Sequence, residues 1–295
     1  MALRRFVERR GAHVTAHSPH SGHRRRQNRT PLIAAAAAGV LAVTLAAQAA
    51  LASGESGAAA APAGARALAV PRTASEVRLT ATRRVTGVLD GARTRFTGAG
   101  ALGGDGRQAG RTPLFELADG AVLKNVVLGA PAAAGVRCLG SCTLENVYWE
   151  DVGEHAAAFL GRSADAVYTV SGGGAADAAG TVFRFDGAGT LTVRDFAVAG
   201  FGELVRSCGD CGEQFRRDVV LENVTATAPG RELVGVNGNF GDTARLSGVT
   251  VVGDPGRDIV PCQKFEGVTG GDPAKADAGP DQVNCLFEES DVTFR

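Results

Sequence analysis

Between Gly135 and Glu154 the chain reads GVRCLGSCTLENVYWEDVGE, which places the pair Cys138 and Cys142 shortly before three carboxylates, Glu150, Asp151 and Glu154. Carboxylates gathered in a turn offer oxygen ligands to a hard cation such as calcium; the competing reading is an acidic turn that is only solvated. At adjacent strand positions Glu150 and Asp151 would leave opposite faces, so at most one of them joins Glu154 directly. Arg206, in LVRSCGDC, carries a planar guanidinium that can grip a carboxylate through two parallel hydrogen bonds. Its plainer reading is an exposed strand-end arginine beside a cystine. Arg137 and Arg184 stand at equivalent places on neighbouring repeats and could add cations to the same groove. His155 could serve as a base or a copper or zinc ligand, but one histidine makes no metal site, and a half-buried neutral ring is the expectation.

The rest of the inventory narrows the chemistry. Four of the five histidines, His13, His17, His20 and His23, lie in the first 31 residues, and the lysines are Lys124, Lys264 and Lys275. A serine, histidine and aspartate triad would depend on His155, and no G-x-S-x-G turn accompanies it. Nor is there a glycine-rich phosphate loop followed by lysine. The six cysteines, Cys138, Cys142, Cys208, Cys211, Cys262 and Cys285, are an even set, which in an exported chain reads as disulfides. Local pairing is expected: 138 with 142, 208 with 211, and 262 with 285. The rival is a zinc site built from the first four, which an oxidising compartment disfavours.

Export is read from the start of the chain. Eight arginines against the single acid Glu8 precede an apolar run from Leu32 to Ala52, the layout of a signal peptide, and Ala50-Leu51-Ala52 before Ser53 fits a cleavage site. A retained membrane anchor is the alternative, because the run is barely long enough to span a bilayer. With residues 1–52 removed, eight of the 31 basic and one of the 31 acidic residues go, leaving 23 against 30 and a net charge near −7. Nucleic acid is thereby excluded as a natural partner, and a polyanionic ligand would need local arginines or a bridging cation. Residues 53–75, rich in Ala, Gly, Pro and Ser, read as a flexible linker, which leaves 76–295 as one folded domain. No oligomer signal appears, and a secreted monomer is expected.

What positions the candidate side chains is a repeat. Leu123-Lys-Asn125-Val126, Leu144-Glu-Asn146-Val147, Val193-Arg-Asp195-Phe196, Leu221-Glu-Asn223-Val224 and Leu246-Ser-Gly248-Val249 share one pattern, with steps of 21, 49, 28 and 25 residues between third positions. The long step covers two turns, with Asp165-Ala166-Val167 as the weak unit between them. Short alternating strands closed by Gly or Asn, with no helix between them, predict an all-β solenoid, a parallel β-helix. A jelly roll or sandwich has equally short strands. The recurring Asn or Asp favours stacked coils, where such side chains can hydrogen-bond at equivalent bends.

Several segments in combination resemble polysaccharide lyase family 3, the small single-domain pectate lyases. They are LDGARTRF at 89–96, PLFELADGAVLKNVVLGAPAAAGVRC at 113–138, SCTLENVYWEDVGE at 141–154, SGGGAADA at 171–178, FGELVRSCGDC at 201–211, GVNGNFGDTARL at 235–246 and the tail from Cys262 to Cys285. The resemblance implies a single-stranded right-handed parallel β-helix and calcium-dependent β-elimination of de-esterified polygalacturonate. In that reaction calcium bridges protein carboxylates to a uronate, a Lys or Arg takes the proton at C5, and the glycosidic oxygen at C4 leaves. It also implies roles for Glu154, as a calcium ligand, and Arg206, as the catalytic cation; Asp151, Glu150 and Asp105 are the further carboxylates that could complete the calcium site, with Asp151 the expected one, and Arg137 and Arg184 are the expected substrate-binding cations. Tyr148 or Trp149 could stack on a sugar, with the other packed in the core.

The chain departs from the family pattern at Gly110, where an acid is expected, and at Ala134 and His155, where aspartates are. Leu160, Thr181 and Glu203 stand where lysines are expected. Each departure removes a ligand or a cation, and Glu203 adds a negative charge beside a bound uronate. The second expectation is therefore a catalytically impaired homologue that binds plant or microbial polysaccharide without cleaving it. A hydrolase on the same fold is the weakest, since carboxylates paired around an attacking water are missing from the sequence. Fold alone decides among none of these.

Overall fold

The computed structural model describes residues 68–104, 112–132, 134–153 and 155–295. The expected leader, most of the expected linker, and Asp105, Gly110 and Glu154 lie outside the described residues. Short strands wind into coils, and successive coils stack in parallel register to make a β-helix with three faces. Sheet one runs through Arg83–Val85, Phe115–Leu117, Val136–Cys138, Ala157–Phe159, 183–185, 203–207, Glu232–Asn237 and Val260–Glu266. Sheet two runs through 88–90, 121–124, 142–145, 167–171, Gly189–Arg194, Arg217–Glu222 and Thr243–Ser247. Sheet three runs through Ser75–Leu79, 94–98, 126–128, 147–149, 173–176, 197–199, Thr225–Thr227 and Val249–Val252. Helix among the described residues is limited to short 3-10 turns, and none is long and apolar enough to cross a membrane.

The bend between sheets two and three is made by the third residue of the repeat. Asn125, Asn146, Asp195 and Asn223 have φ of 54°, 52°, 53° and 53°, the left-handed region that Asn and Asp enter more easily than other residues bearing a Cβ. Their side chains bond from coil to coil. Asn125 Nδ2 donates to Asp90 Oδ1 at 3.0 Å, Asn146 Nδ2 to Asn125 Oδ1 at 3.3 Å, and Asn223 Nδ2 to Asp195 Oδ1 at 3.3 Å. This is the hydrogen bonding that the recurring Asn and Asp led us to expect. The weak coil, however, needs correction: Val170-Ser171-Gly172, not Asp165-Ala166-Val167, aligns with Leu144-Glu145-Asn146. Gly172 makes the bend at φ 65° with no side chain, and a Cβ there would come within 2.5 Å of Asn146 Oδ1. Lacking an amide, the rung lacked the mark by which the others are recognised.

The first residue of each repeat fills the interior. Leu123, Leu144, Val170, Val193, Leu221 and Leu246 are successive register partners and all are buried. Burying one such side chain contributes about 1.5–3 kcal/mol, and stacking the coils is the only way this narrow core closes. In the middle coils Trp149, Phe159, Tyr168, Phe183, Phe185 and Phe196 form an aromatic cluster with ring centroids 5.1 to 6.4 Å apart. Trp149 is thus a core residue, and Tyr148 stays at the surface of sheet three. Disulfides join Cys138 to Cys142, Cys208 to Cys211 and Cys262 to Cys285. No thiolate remains for the zinc alternative.

Candidate functional site

Sheet one carries the basic residues. Alternation turns Val136 and Cys138, Ala157 and Phe159, and Phe183 and Phe185 into the core, so Arg137, Ala158 and Arg184 face outward in register. The row continues through Arg206, Gly235 and Gln263. Arg184 and Arg206 are therefore neighbours, on strands about 4.8 Å apart. Arg137 stands two coils from Arg184, with Ala158 between them. That corrects the expectation that Arg137 and Arg184 occupy neighbouring coils: the intervening strand, Ala157–Phe159, carries no charge and escapes a search for basic residues.

The two adjacent arginines are held differently. Arg184 Nε donates to Asp186 Oδ1 at 2.6 Å and its Nη2 to Asp210 Oδ1 at 3.0 Å. Burial works against its charge, but these two carboxylates outweigh it and hold its pKa above the ordinary arginine value. Asp186 is steadied from below by the fully buried Arg217, whose Nη2 donates to the Asp186 carbonyl at 2.8 Å. Arg206 is only 8% exposed, lies with Cζ 3.3 Å from the centroid of the Phe265 ring, and has its Nη1 buried without a partner. Burial lowers its pKa, against the opposing charges of Glu203 and Glu232. A buried donor left unpaired costs about 1–3 kcal/mol. It can lie flat because its register neighbour is Gly235: a Cβ there would stand 2.7 Å from Arg206 Nη1.

A second row precedes the first by three residues. Gly135 N donates to His155 O at 3.2 Å and Ala156 N to Val182 O at 2.9 Å, which aligns Ala134, His155 and Thr181, and Glu203 and Glu232 continue the line. The departures at Ala134, His155, Thr181 and Glu203 thus share one line along the helix, which the unequal loops between coils conceal in the sequence. His155 Nδ1 lies 3.3 Å from Thr181 O, and Thr181 Oγ1 donates to Glu203 Oε2 at 2.9 Å. Leu160 is the residue after Ala157–Phe159, at the corner leaving sheet one. The segments that carry the resemblance include Gly235, Phe265 and Lys275 but give them no role, and Glu232, which pairs with Lys275, lies outside those segments.

The acidic turn leaves sheet three after Trp149. Glu150 is committed to Arg95, whose Nε and Nη2 lie 2.9 and 2.7 Å from Glu150 Oε2. Asp151 is exposed, and Glu154 lies outside the described residues. Among the described residues, the three-residue group with ligand atoms close together is Asp186, Cys208 and Cys211, and its two sulfurs are bonded to each other. The donors of the acidic turn are all oxygen, which suits a hard cation. With Glu150 paired to Arg95, Asp151 is the carboxylate of this turn, among the described residues, that stands exposed to solvent.

The pectate lyase family model matches residues 67–272. Pectate lyase H of Emericella nidulans is 42% identical over 178 residues, covering 60% of this chain and 66% of that protein. Pectate lyase E of the same organism is 35% identical over 223 residues, covering 75% of this chain and 84% of that protein. Among solved structures, the catalytic domain of pectate lyase PelI from Erwinia chrysanthemi has a TM-score of 0.64 at 28% identity, covering 75% of this chain and 100% of that one. PelI in complex with tetragalacturonic acid has a TM-score of 0.62 at 28% identity, covering 74% and 70%.

Proposed function

The chain belongs to the pectate lyase family, and from that premise we propose that it is a secreted lyase that cleaves de-esterified polygalacturonate by calcium-dependent β-elimination. Beyond membership, one observation carries the reading: the Arg206 guanidinium is buried on the outer row of sheet one, with a nitrogen unpartnered and its pKa lowered by burial. An arginine in water holds its proton too tightly to act as a base, and burial moves it in the direction a base needs.

Arg206 takes the proton from C5 of a uronate, the electron pair of that bond forms the double bond between C4 and C5, and the glycosidic oxygen departs from C4 to be protonated by solvent. Gly235 and Phe265 fix the plane of the guanidinium. Arg137 and Arg184 place positive charge along the same row for the carboxylates of neighbouring sugars. Glu154 and Asp151 would hold calcium, which when bound neutralises the uronate and acidifies its C5 proton.

A second reading, a homologue that binds polysaccharide without cleaving it, is favoured by the row of Thr181, Glu203 and Glu232, which sets carboxylates rather than cations next to Arg206. One assay separates the two. Purified protein is mixed with polygalacturonate, with and without calcium, while ultraviolet absorbance of unsaturated uronide and reducing ends are followed together. The lyase reading expects calcium-dependent absorbance that Arg206→Ala lowers by about 10²- to 10⁴-fold with the fold intact. Binding with neither signal favours the non-cleaving homologue, and reducing ends without absorbance overturn both.

A further inference from the structure

Lys275 reaches the site by a route that the repeat does not provide. Val260–Glu266 is the last long strand of sheet one, and the chain then reverses and returns as Ala274–Ala278, the one antiparallel pairing among the described residues. Its register sets Lys275 opposite Phe265. Lys275 Nζ lies 5.8 Å from the centroid of the same ring against which Arg206 rests. That Nζ pairs with Glu232, whose side chain is 3% exposed while the lysine side chain is 63% exposed. Glu232 Oε2 remains buried without a partner. A sunken carboxylate thus tethers a largely solvated ammonium near the ring on which the guanidinium rests.

The outer row of sheet one explains what a cation gains by standing there. Arg137, Arg184 and Arg206 supply charge up to the coil of 203–207, and the next two positions, Gly235 and Gln263, supply none. Phe265 covers that gap, its Cε2 lying 3.2 Å from where a Cβ on Gly235 would be. Polygalacturonate carries a carboxylate on every sugar, so a chain lying along the row beyond Arg206 would meet no countercharge from the coils themselves. An ammonium has three donors; Glu232 takes one, and the exposed head leaves the others for a ligand. We propose that Lys275 is a substrate-binding residue that holds a uronate carboxylate next to the one at Arg206. The proposal rests on the pectate lyase reading and adds to it a residue from a hairpin strand that stands outside the stacked parallel coils.

The test compares Lys275→Met and Lys275→Arg with the parent, in steady-state kinetics on polygalacturonate and in calorimetric binding of tetragalacturonate, with thermal melting of each. Lys275→Met is expected to raise KM and weaken tetragalacturonate binding by about five- to tenfold, tenfold being about 1.4 kcal/mol, with a smaller fall in kcat. Lys275→Arg should recover most of the loss, since the charge is kept. A purely structural lysine would instead lower the melting temperature and leave KM in place. If the parent is active and Lys275→Met keeps its KM, or if Met and Arg raise KM equally, the inference fails and the lyase reading stands. If the parent is inactive yet binds tetragalacturonate in a Lys275-dependent way, the lyase reading fails and the inference stands. No binding by the parent removes both.

Discussion

Gly235→Ala tests the site with a single methyl group. The backbone at Gly235 lies outside the left-handed region, so alanine can adopt it without strain, but the new Cβ would stand 2.7 Å from Arg206 Nη1, 2.9 Å from Arg206 Cδ and 3.2 Å from Phe265 Cε2. Non-bonded heavy atoms settle at about 3.5–4.0 Å, so the guanidinium has to retreat by roughly 1 Å. The crowded atoms belong to side chains rather than backbone, and overpacking of that kind costs about 1–3 kcal/mol of stability at most. Catalysis is more sensitive, because a displacement of about 1 Å in a reacting group costs on the order of 10²-fold in rate. Initial rates of unsaturated uronide formation at saturating polygalacturonate, with melting by calorimetry, measure both effects. Gly212→Ala is the control, since a Cβ there would meet nothing within 4 Å. The expected result is a kcat lower by about 10²-fold for Gly235→Ala and unchanged rates for the control. A folded Gly235→Ala protein with undiminished kcat would refute the assignment of the proton transfer to Arg206.

Two further predictions concern stability. Asn146→Ala removes the amide that donates to Asn125 and leaves a Cβ residue without local hydrogen bonding at φ 52°, so urea unfolding should show a loss of about 1–2 kcal/mol. Asn146→Gly should lose less, because only the bond is gone; a larger loss for Gly than for Ala would contradict the backbone argument. Asp281 accepts backbone N–H groups of Val283, Asn284 and Cys285 on Oδ1 and pairs with Lys264 at 2.7 Å through Oδ2. Burial would raise its pKa, and these donors outweigh burial and hold it below the ordinary 3.8. A carboxylate with a folded-state pKa below its unfolded value stabilises the fold above the unfolded value and loses that contribution as pH falls through the folded one. Asp281→Asn should therefore lower the melting temperature at neutral pH, and its gap from the parent should close as pH falls below 3.8. A gap that does not change with pH would show that the charge of Asp281 is not the source.

What the sequence by itself determined is local. An Asn or Asp two residues after an aliphatic one and just before an apolar one states that the chain bends there, because few other side chains accept a positive φ, and its recurrence states that the bends stack. Cysteines three or four residues apart meet within one turn, as Cys208 with Cys211 and Cys138 with Cys142 do. Arg206 was singled out through the family resemblance, whereas its place beside a cystine pointed to an exposed strand end, and the structure buries it. The tertiary structure alone decided which coil lies beside which. Loops of unequal length separate the coils, so no count along the chain reveals that Arg206 adjoins Arg184 while Ala158 intervenes before Arg137, or that Gly172 is the missing bend. It also decided that Phe265 and Lys275, far along the chain, close over Arg206 and Glu232. Bends follow from the conformational preferences of single residues, whereas stacking neighbours follow from the shared burial of a core to which every coil contributes and which no segment contains.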